Sequence, residues 1–322
     1  MSKQPLIDQL DQAISVMLVN PDSRSSPVDP SVEDLLRVAR DLRNIPNPDF
    51  KARLRADLER NASMTVSAVQ FRKGFSTVTP YITTPLADEV IEFMKRALAA
   101  EEMTRASMSP GTFHAEVRIG DSMLMIGGGP AYKGTPRPTA LHVYVQNADE
   151  AYRRALDAGA VPLTDMVESH GDRLGCVKDS AGNEWYISTH LGAHYVPEHL
   201  HTVTPYLHPV GSHKLIDFLK QAFGAEELAR YDSPEGHVVH AKIRIGDSVI
   251  ETSEAHGWWQ PLPAMLYLYV PDCDAWYSRA MKAAGAKSIQ TPADQPYGDR
   301  NAAVEDPFGN QWYMATPVIR GQ

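Results

Sequence analysis

The stretch HGDRLGCVKDSAGNEWYIST at 170–189 is answered by YGDRNAAVEDPFGNQWYMAT at 297–316. Gly171, Asp172, Arg173, Val177, Asp179, Gly182, Asn183, Trp185 and Tyr186 each recur 127 positions later, which marks an internal repeat. Working back, VTPYITTPLADEVIEFMKRALAAEE (78–102) meets VTPYLHPVGSHKLIDFLKQAFGAEE (203–227) at a shift of 125. HAEVRIGDSMLMI (114–126) meets HAKIRIGDSVIET (240–252) at a shift of 126. Block order is kept and the shift barely drifts, so each copy reads as one folding unit of about 115 residues, 76–190 and 203–318.

The bulk numbers agree with a soluble globular chain. Its 322 residues suggest two or three domains, and 43% hydrophobic residues supply cores. A net charge of −9 disfavours nucleic acid or an anionic membrane as the main partner, since phosphate binding wants a basic surface. Cys176 and Cys273 fall at unmatched places in the repeats, so neither a disulfide framework nor a thiolate metal site is indicated. No apolar run approaches the ~18 residues of a membrane span. Asp8 and Asp11 interrupt the apolar core that a secretory signal needs, and a cytoplasmic location is expected.

Residues 1–62 match neither repeat and read as a helical extension. Leu6, Leu10, Ile14, Met17 and Leu18 form one stripe. A second follows Ser31, with Leu35, Val38, Leu42 and Ile45, and a third opens at Asn47-Pro48 and runs through Phe50, Leu54 and Leu58. So thin a core is expected to dock on a repeat or a second subunit, which leaves a homodimer open.

Within each repeat the hydrophobic period alternates between two and 3.6, giving strand, helix, three strands, and the same again. In the first repeat strands are predicted near 78–83, 102–107, 113–119, 122–126, 140–145, 161–167, 173–178 and 183–188, with helices near 86–99 and 148–158. The DSAGN and DPFGN stretches read as tight turns, with Asp179 and Asp306 closing them through their side chains. The fold class is therefore α+β, with each repeat a doubled βαβββ unit.

VTPYL, HAEVRIGDS and GDR…DPFGN with Trp-Tyr, present in both copies, resemble the vicinal oxygen chelate superfamily of glyoxalase I, bleomycin-resistance proteins and extradiol dioxygenases, and within it the PhnB-like branch. The resemblance covers roughly 76–318. It implies that two βαβββ units form a curved mixed sheet, with helices on the convex side and a ligand, often with a divalent metal, on the concave side.

Strand alternation sorts residues by face. Ala115, Val117 and Ile119 suit the helices, leaving His114, Glu116 and Arg118 opposite, matched by His240, Lys242 and Arg244. The same sorting groups Thr79, Tyr81 and Thr83; Thr204, Tyr206 and His208; His142 and Tyr144; and Tyr267 and Tyr269, while Tyr186 and Tyr313 oppose Trp185 and Trp312. A cavity lined by Tyr81, His114, Arg118, Tyr144, Tyr186, Tyr206, His240, Arg244, Tyr267 and Tyr313 suits planar or oxygen-rich small molecules. A solvent-facing polar row and core tyrosines with satisfied hydroxyls are the plainer alternatives.

The resemblance also implies a ligand set for Zn, Ni, Fe or Mn, on the first, fourth, fifth and eighth strands. Carried over, the first repeat offers Thr79, Met125, His142 and Tyr186 and the second Thr204, Glu251, Tyr267 and Tyr313, neither a credible site alone. If halves of the modules exchange, Glu251 would meet His142 with His208 near by, a composite site placing the two residues within a few ångströms. A histidine-rich stretch at 190–213 reads as a connector, with an adventitious metal site as the alternative. No nucleophile elbow, phosphate loop, dinucleotide fingerprint or zinc-protease helix occurs.

Three functions are compatible with this sequence. The first is a small-molecule-binding protein with no complete metal site and no certain cofactor. The second is a divalent-metal-dependent isomerase, lyase or dioxygenase using Glu251 and His142, with His208 as a third ligand. The third is a regulatory or assembly protein acting through the N-terminal helices.

Overall fold

The structure is a computed structural model and describes residues 74–318. The helices expected over 1–62, and any partner-binding role for them, lie outside the described residues. The front half of the first repeat runs β1 (Val78–Thr84), α1 (Ala87–Leu98), β2 (Glu101–Ser109), β3 (Thr112–Ile119) and β4 (Ser122–Gly128). Its back half runs β5 (Ala140–Tyr144), α2 (Ala148–Asp157), β6 (Val161–Pro162), β7 (Val167–Ser169), β8 (Asp172–Lys178) and β9 (Glu184–His190). The second repeat gives β10 (Val203–Leu207), α3 (Ser212–Phe223), β11 (Glu226–Asp232), β12 (Val238–Ile245) and β13 (Ser248–Thr252), then β14 (Met265–Tyr269), α4 (Cys273–Ala280), β15 (Lys287–Asp294), β16 (Asp299–Glu305) and β17 (Gln311–Pro317). The single strand expected over 161–167 is split into β6 and β7, the latter reaching Ser169.

The elements follow local rules. In α1 the buried Val90, Ile91, Met94, Ala97 and Leu98 make one stripe, with Asp88 and Glu89 in the first turn and Lys95 and Arg96 in the last, complementing the helix dipole. The helices α2 and α4 start at Asn147 and Asp272, whose side chains accept the backbone N–H groups of Glu150 and Ala275. In both DxxGN turns the carboxylate does what the sequence suggests. Asp179 accepts from the backbone of Ala181 and Asn183, the Asn183 amide and the Trp185 indole at 2.8–3.0 Å. Asp306 repeats the set with Phe308, Asn310 and Trp312. Each turn thereby fixes a fully buried tryptophan against the helices. Arg173 and Arg300 pair locally, with Asp149 and with Asp274 and Asp294.

Strand pairing crosses the repeats. One sheet has 8 strands in the order β15-β16-β17-β14-β1-β4-β3-β2, and the other has 9, with β11-β12-β13-β10-β5-β9-β8-β6 and β7 beside β8. Each sheet therefore joins the front half of one repeat to the back half of the other. The joints are short antiparallel pairs, Val78–Pro80 with Leu266–Leu268 and Val203–Pro205 with Leu141–Val143, and the proline in each first strand brings no N–H to the ladder. The hydrophobic cores follow the repeats instead. One gathers Ile82, Met94, Leu141, Trp185 and Ile187, the other Leu207, Leu219, Leu266, Trp312 and Met314. Arg154 of α2 reaches the Ala97 carbonyl of α1, and Arg279 of α4 the Ala222 carbonyl of α3.

The repeated Gly-Asp-Ser turn clasps the two front halves, and so the two sheets, to each other, a role the sequence reading did not assign. Asp121 Oδ1 accepts the Thr202 N–H at 2.8 Å and Ser122 Oγ the Val203 N–H at 2.9 Å. Asp247 Oδ1 accepts the Thr77 N–H at 2.7 Å and Ser248 Oγ the Val78 N–H at 2.9 Å. Glycine is required at the turn: φ is +57° at Gly120 and +61° at Gly246, and a Cβ would come within 2.3 Å of Thr202 and Thr77. Among the described residues no helix is long and apolar enough to cross a membrane.

Candidate functional site

The face of each sheet away from the helices carries the residues that alternation assigned to it. In the 9-stranded sheet, β9, β5 and β10 bring Tyr186, His142 and Thr204 level with one another, and β10, β13 and β12 do the same for Tyr206, Glu251 and Lys242. The exchanged pairing thus unites His142 and Glu251, which lie 109 positions apart in the chain, through a 2.7 Å bond between His142 Nδ1 and Glu251 Oε2. His142 Nε2 lies 2.6 Å from Ser188 Oγ, making a Glu251–His142–Ser188 chain. A carboxylate can only accept, so Nδ1–H donates to Glu251.

The chain is buried, with Glu251 1%, His142 8% and Ser188 0% exposed. Burial opposes the charge on Glu251, but His142, then His240 at 3.4 Å, overcome it and hold the carboxyl well below its usual range. Lys242 is 3.9 Å from the same carboxylate. Aromatic rings enclose the imidazole. Tyr144 stacks on it at 4.3 Å and donates to Asp172, while Tyr186 and Tyr206 stand 6.4 Å from it. Burial, with the Glu251 charge acting as well on Tyr144 and Tyr206, keeps these three phenols protonated well above their ordinary range. Tyr206 is half-buried, and the side chains of His240 and Lys242 are 28% and 30% exposed, so the cluster opens on that side.

His208 stands apart from the His142–Glu251 pair as a ligand. Its Nε2 meets Tyr186 Oη at 3.1 Å and its Nδ1 meets Ser253 Oγ at 2.8 Å, so both ring nitrogens are engaged. Burial, with His256 and His240 near by, pushes its pKa down to about 4, and it is neutral at pH 7. The superfamily metal set does not fit these residues. Both nitrogens of His142 are committed, tyrosine stands on β9 where a carboxylate is wanted, and among the described residues no group of three or more His, Cys, Asp or Glu could hold an ion. The histidine-rich stretch is structural as well: His190 pairs with Asp172 at 2.6 Å and His201 with Asp121 at 3.1 Å.

The 8-stranded sheet carries the second set. Tyr81 Oη and His114 Nδ1 are 3.2 Å apart, and the rings of Tyr267 and Tyr313 lie 6.4 Å apart and nearly parallel. Phe75, Met123, Met125, Tyr269 and Ala315 complete that face. Arg118 and Arg244 join neither cluster. Arg118 pairs with Glu101 across the β2–β3 ladder at 2.7 Å, and Arg244 with Glu226 across β11–β12. Arg118 also lines an outer groove of about 530 Å³ with Leu98, Asn147, Arg154 and Tyr195, whose residues include none of the His142–Glu251–Ser188 chain. Sequence reasoning missed Ser188, although its place two residues after Tyr186 puts it on the same face.

The glyoxalase/bleomycin resistance protein/dioxygenase superfamily model matches residues 212–314. An uncharacterized protein of Mycobacterium bovis is 34% identical over 132 residues, which span 36% of this chain and 83% of that one. One from Mycobacterium tuberculosis has the same identity over 74% of its length. Among solved structures, glyoxalase I from Zea mays has the same fold, with a TM-score of 0.57 at 12% identity over 74% of this chain and 92% of that chain. The chain belongs to the glyoxalase/bleomycin resistance protein/dioxygenase superfamily, as two tandem modules.

Proposed function

We propose that this protein binds a small, planar, oxygen-bearing organic molecule against the face that carries His142 and Glu251, without a complete superfamily metal site. The observation that carries this reading is the buried Glu251–His142–Ser188 chain beneath the rings of Tyr144, Tyr186 and Tyr206. A planar ligand gains stacking on the tyrosines, and its oxygens find donors in His240 and Lys242 at the open side. Glu251 orients the imidazole and keeps Nδ1 protonated. Ser188 is fully buried and acts as a positioning partner rather than a nucleophile. The cytoplasm is the expected compartment, since both cysteines are unpaired and buried.

Two measurements test the reading. In an absorbance titration with 4-nitrocatechol, the wild type is expected to bind, and Tyr206→Leu and His142→Leu each to weaken binding about tenfold, the loss of one stacked or hydrogen-bonded contact. Metal content by mass spectrometry on tag-free protein purified without chelators is expected to be well below one ion per chain. Near-stoichiometric metal lost in both Glu251→Ala and His142→Ala would overturn the reading in favour of the composite metal enzyme. Probe affinity indifferent to both leucine variants would overturn the location.

A further inference from the structure

The connector between the repeats lies against one end of the His142–Glu251 cluster before it enters β10. Val196 and Leu200 pack on Tyr144 and Val249, and Tyr144 is the ring stacked on His142 at 4.3 Å. The connector also holds Tyr144 at two polar points. The Tyr144 hydroxyl donates to Asp172, which pairs at 2.6 Å with His190 where the connector starts. The Tyr144 backbone N–H donates at 2.8 Å to the Thr202 carbonyl where the connector ends. Between these anchors the chain turns at Pro197–Leu200 with His199 at φ +69°, a left-handed conformation that a residue with a Cβ adopts at a cost, so the turn depends on what fastens its ends.

His201 is the fastening at the far end. Its Nδ1 meets Asp121 Oδ2 at 3.1 Å in the Gly-Asp-Ser turn after β3, and its Nε2 meets the Asp247 backbone carbonyl at 3.2 Å in the matching turn after β12. One ring thus spans both turns that clasp the sheets. Neither partner has a proton to give, so each bond needs an N–H from the ring. Neutral imidazole carries one and can make one bond, whereas imidazolium carries two and makes both. Burial opposes the charge on Asp121, but bonds from His201, Thr202 and Ser122 hold its carboxyl well below the usual range, so it faces the ring ionised. Asp247 is the other charged residue beside the ring. The crevice there, between the two VTPY strands, is lined by serine, proline, valine and methionine and holds no further ionisable group among the described residues. On the connector itself, Glu198 and His199 are exposed and lie 4.0 Å from each other. The His201 side chain is 31% exposed, so protons reach it. In the first repeat Ser76 occupies the position of His201, and the ring therefore serves one joint of the two.

We propose that His201 is a proton-operated latch on the candidate site: its imidazolium ties the connector to both clasp turns and holds Tyr144 against His142, and loss of its proton loosens the connector and that ring together. The functional half of this inference rests on the reading of the His142 face as the ligand site. The hydrogen bond to Asp121 outweighs burial and raises the His201 pKa. The closed latch is therefore fully present below the unfolded value near ~6.5 and is lost as pH rises through the folded value. A ligand that uses Tyr144 binds more tightly on the acid side.

Hydrogen exchange by mass spectrometry on the full-length protein tests the latch without a ligand. After correction for intrinsic rates, peptides covering 139–146 and 191–203 are expected to exchange about threefold more slowly in wild type than in His201→Gln at pH 6, and at the same rate at pH 9, the effect of one charge-assisted bond near the surface. Thermal unfolding verifies that the variant is folded. In parallel, wild type should bind 4-nitrocatechol about threefold more tightly than His201→Gln at pH 6 and equally at pH 9, a ratio in which ionisation of the probe cancels. Equal exchange in both proteins at pH 6, or a difference that persists undiminished at pH 9, would overturn the latch. Exchange that responds while the affinity ratio stays at one would overturn its coupling to the site. A probe that binds neither protein tells against the ligand reading alone, because exchange of the peptide holding Tyr144 still decides the latch.

Discussion

Replacing Glu251 with methionine gives its position the residue that the matching strand of the other sheet carries, Met125. Methionine is close to glutamate in length and volume, so the cost chiefly measures the polar chain and not the space. The carboxylate is fully buried and bonded to His142 at 2.7 Å, with His240 at 3.4 Å. Losing one charge-assisted hydrogen bond and leaving the imidazole donor without its acceptor costs about 3 kcal/mol at pH 7. Adding His142→Tyr recreates the Tyr267 and Met125 pattern, and the double variant is expected to lie within about 1 kcal/mol of wild type, a coupling of at least about 2 kcal/mol and larger by whatever His142→Tyr costs alone. The pH dependence has a definite sign. The Glu251 pKa is lowered by folding, so its contribution is fully present above the unfolded carboxylate value near ~4.3 and shrinks by about 1.4 kcal/mol per pH unit as pH falls below it toward the folded value. Equilibrium unfolding in urea at pH 7 and near pH 3.3 reads both effects. Additive losses in the double variant, or a gap between wild type and Glu251→Met that stays constant with pH, would refute the account.

Asp247→Ala removes the acceptor for the Thr77 N–H and should destabilise by about 1.5–3 kcal/mol in the same urea assay, as a buried charge-assisted bond does. The His201 pKa is raised, chiefly by its bond to Asp121, so its contribution is present below the unfolded value near ~6.5 and lost as pH rises through the folded value. The melting temperatures of wild type and His201→Gln should therefore converge between pH 6 and pH 9. Ala99 ends α1 at φ +53°, where Gly224 ends α3 at +65°, so Ala99→Gly is expected to stabilise by about 0.5–1 kcal/mol. Burial raises both thiols, Cys273 to about 12, so Ellman's reagent at pH 8 should find neither in the native protein and both after denaturation.

Local chemistry made much of this molecule legible. Periodicity located the helices and strands of both repeats, because apolar stripes at 3.6 and alternation at 2 report which side of an element is buried. The DxxGN turns, with Asp179 and Asp306 closing them, could be read because their hydrogen bonds span only a few residues. Alternation likewise put Tyr81, Tyr186, Tyr206, Tyr267 and Tyr313 on one side of their strands. It misplaced Arg118 and Arg244 from the cavity because alternation gives a face but not a position along the strand, and both reach cross-strand glutamates instead.

What the chain could not disclose alone was which front half joins which back half. Both repeats present the same VTPY strand and the same alternation, and backbone ladders are blind to which copy supplies the partner, so either pairing satisfies the local pattern. Tertiary structure makes the choice through ladders of long sequence separation, which set Thr79 of β1 opposite Tyr267 of β14 and Thr204 of β10 opposite His142 of β5. That choice brings His142 to Glu251 through β5, β10 and β13, and with it decides that one face holds a buried histidine–carboxylate chain while the other sets Tyr267 and Tyr313 beside Thr79.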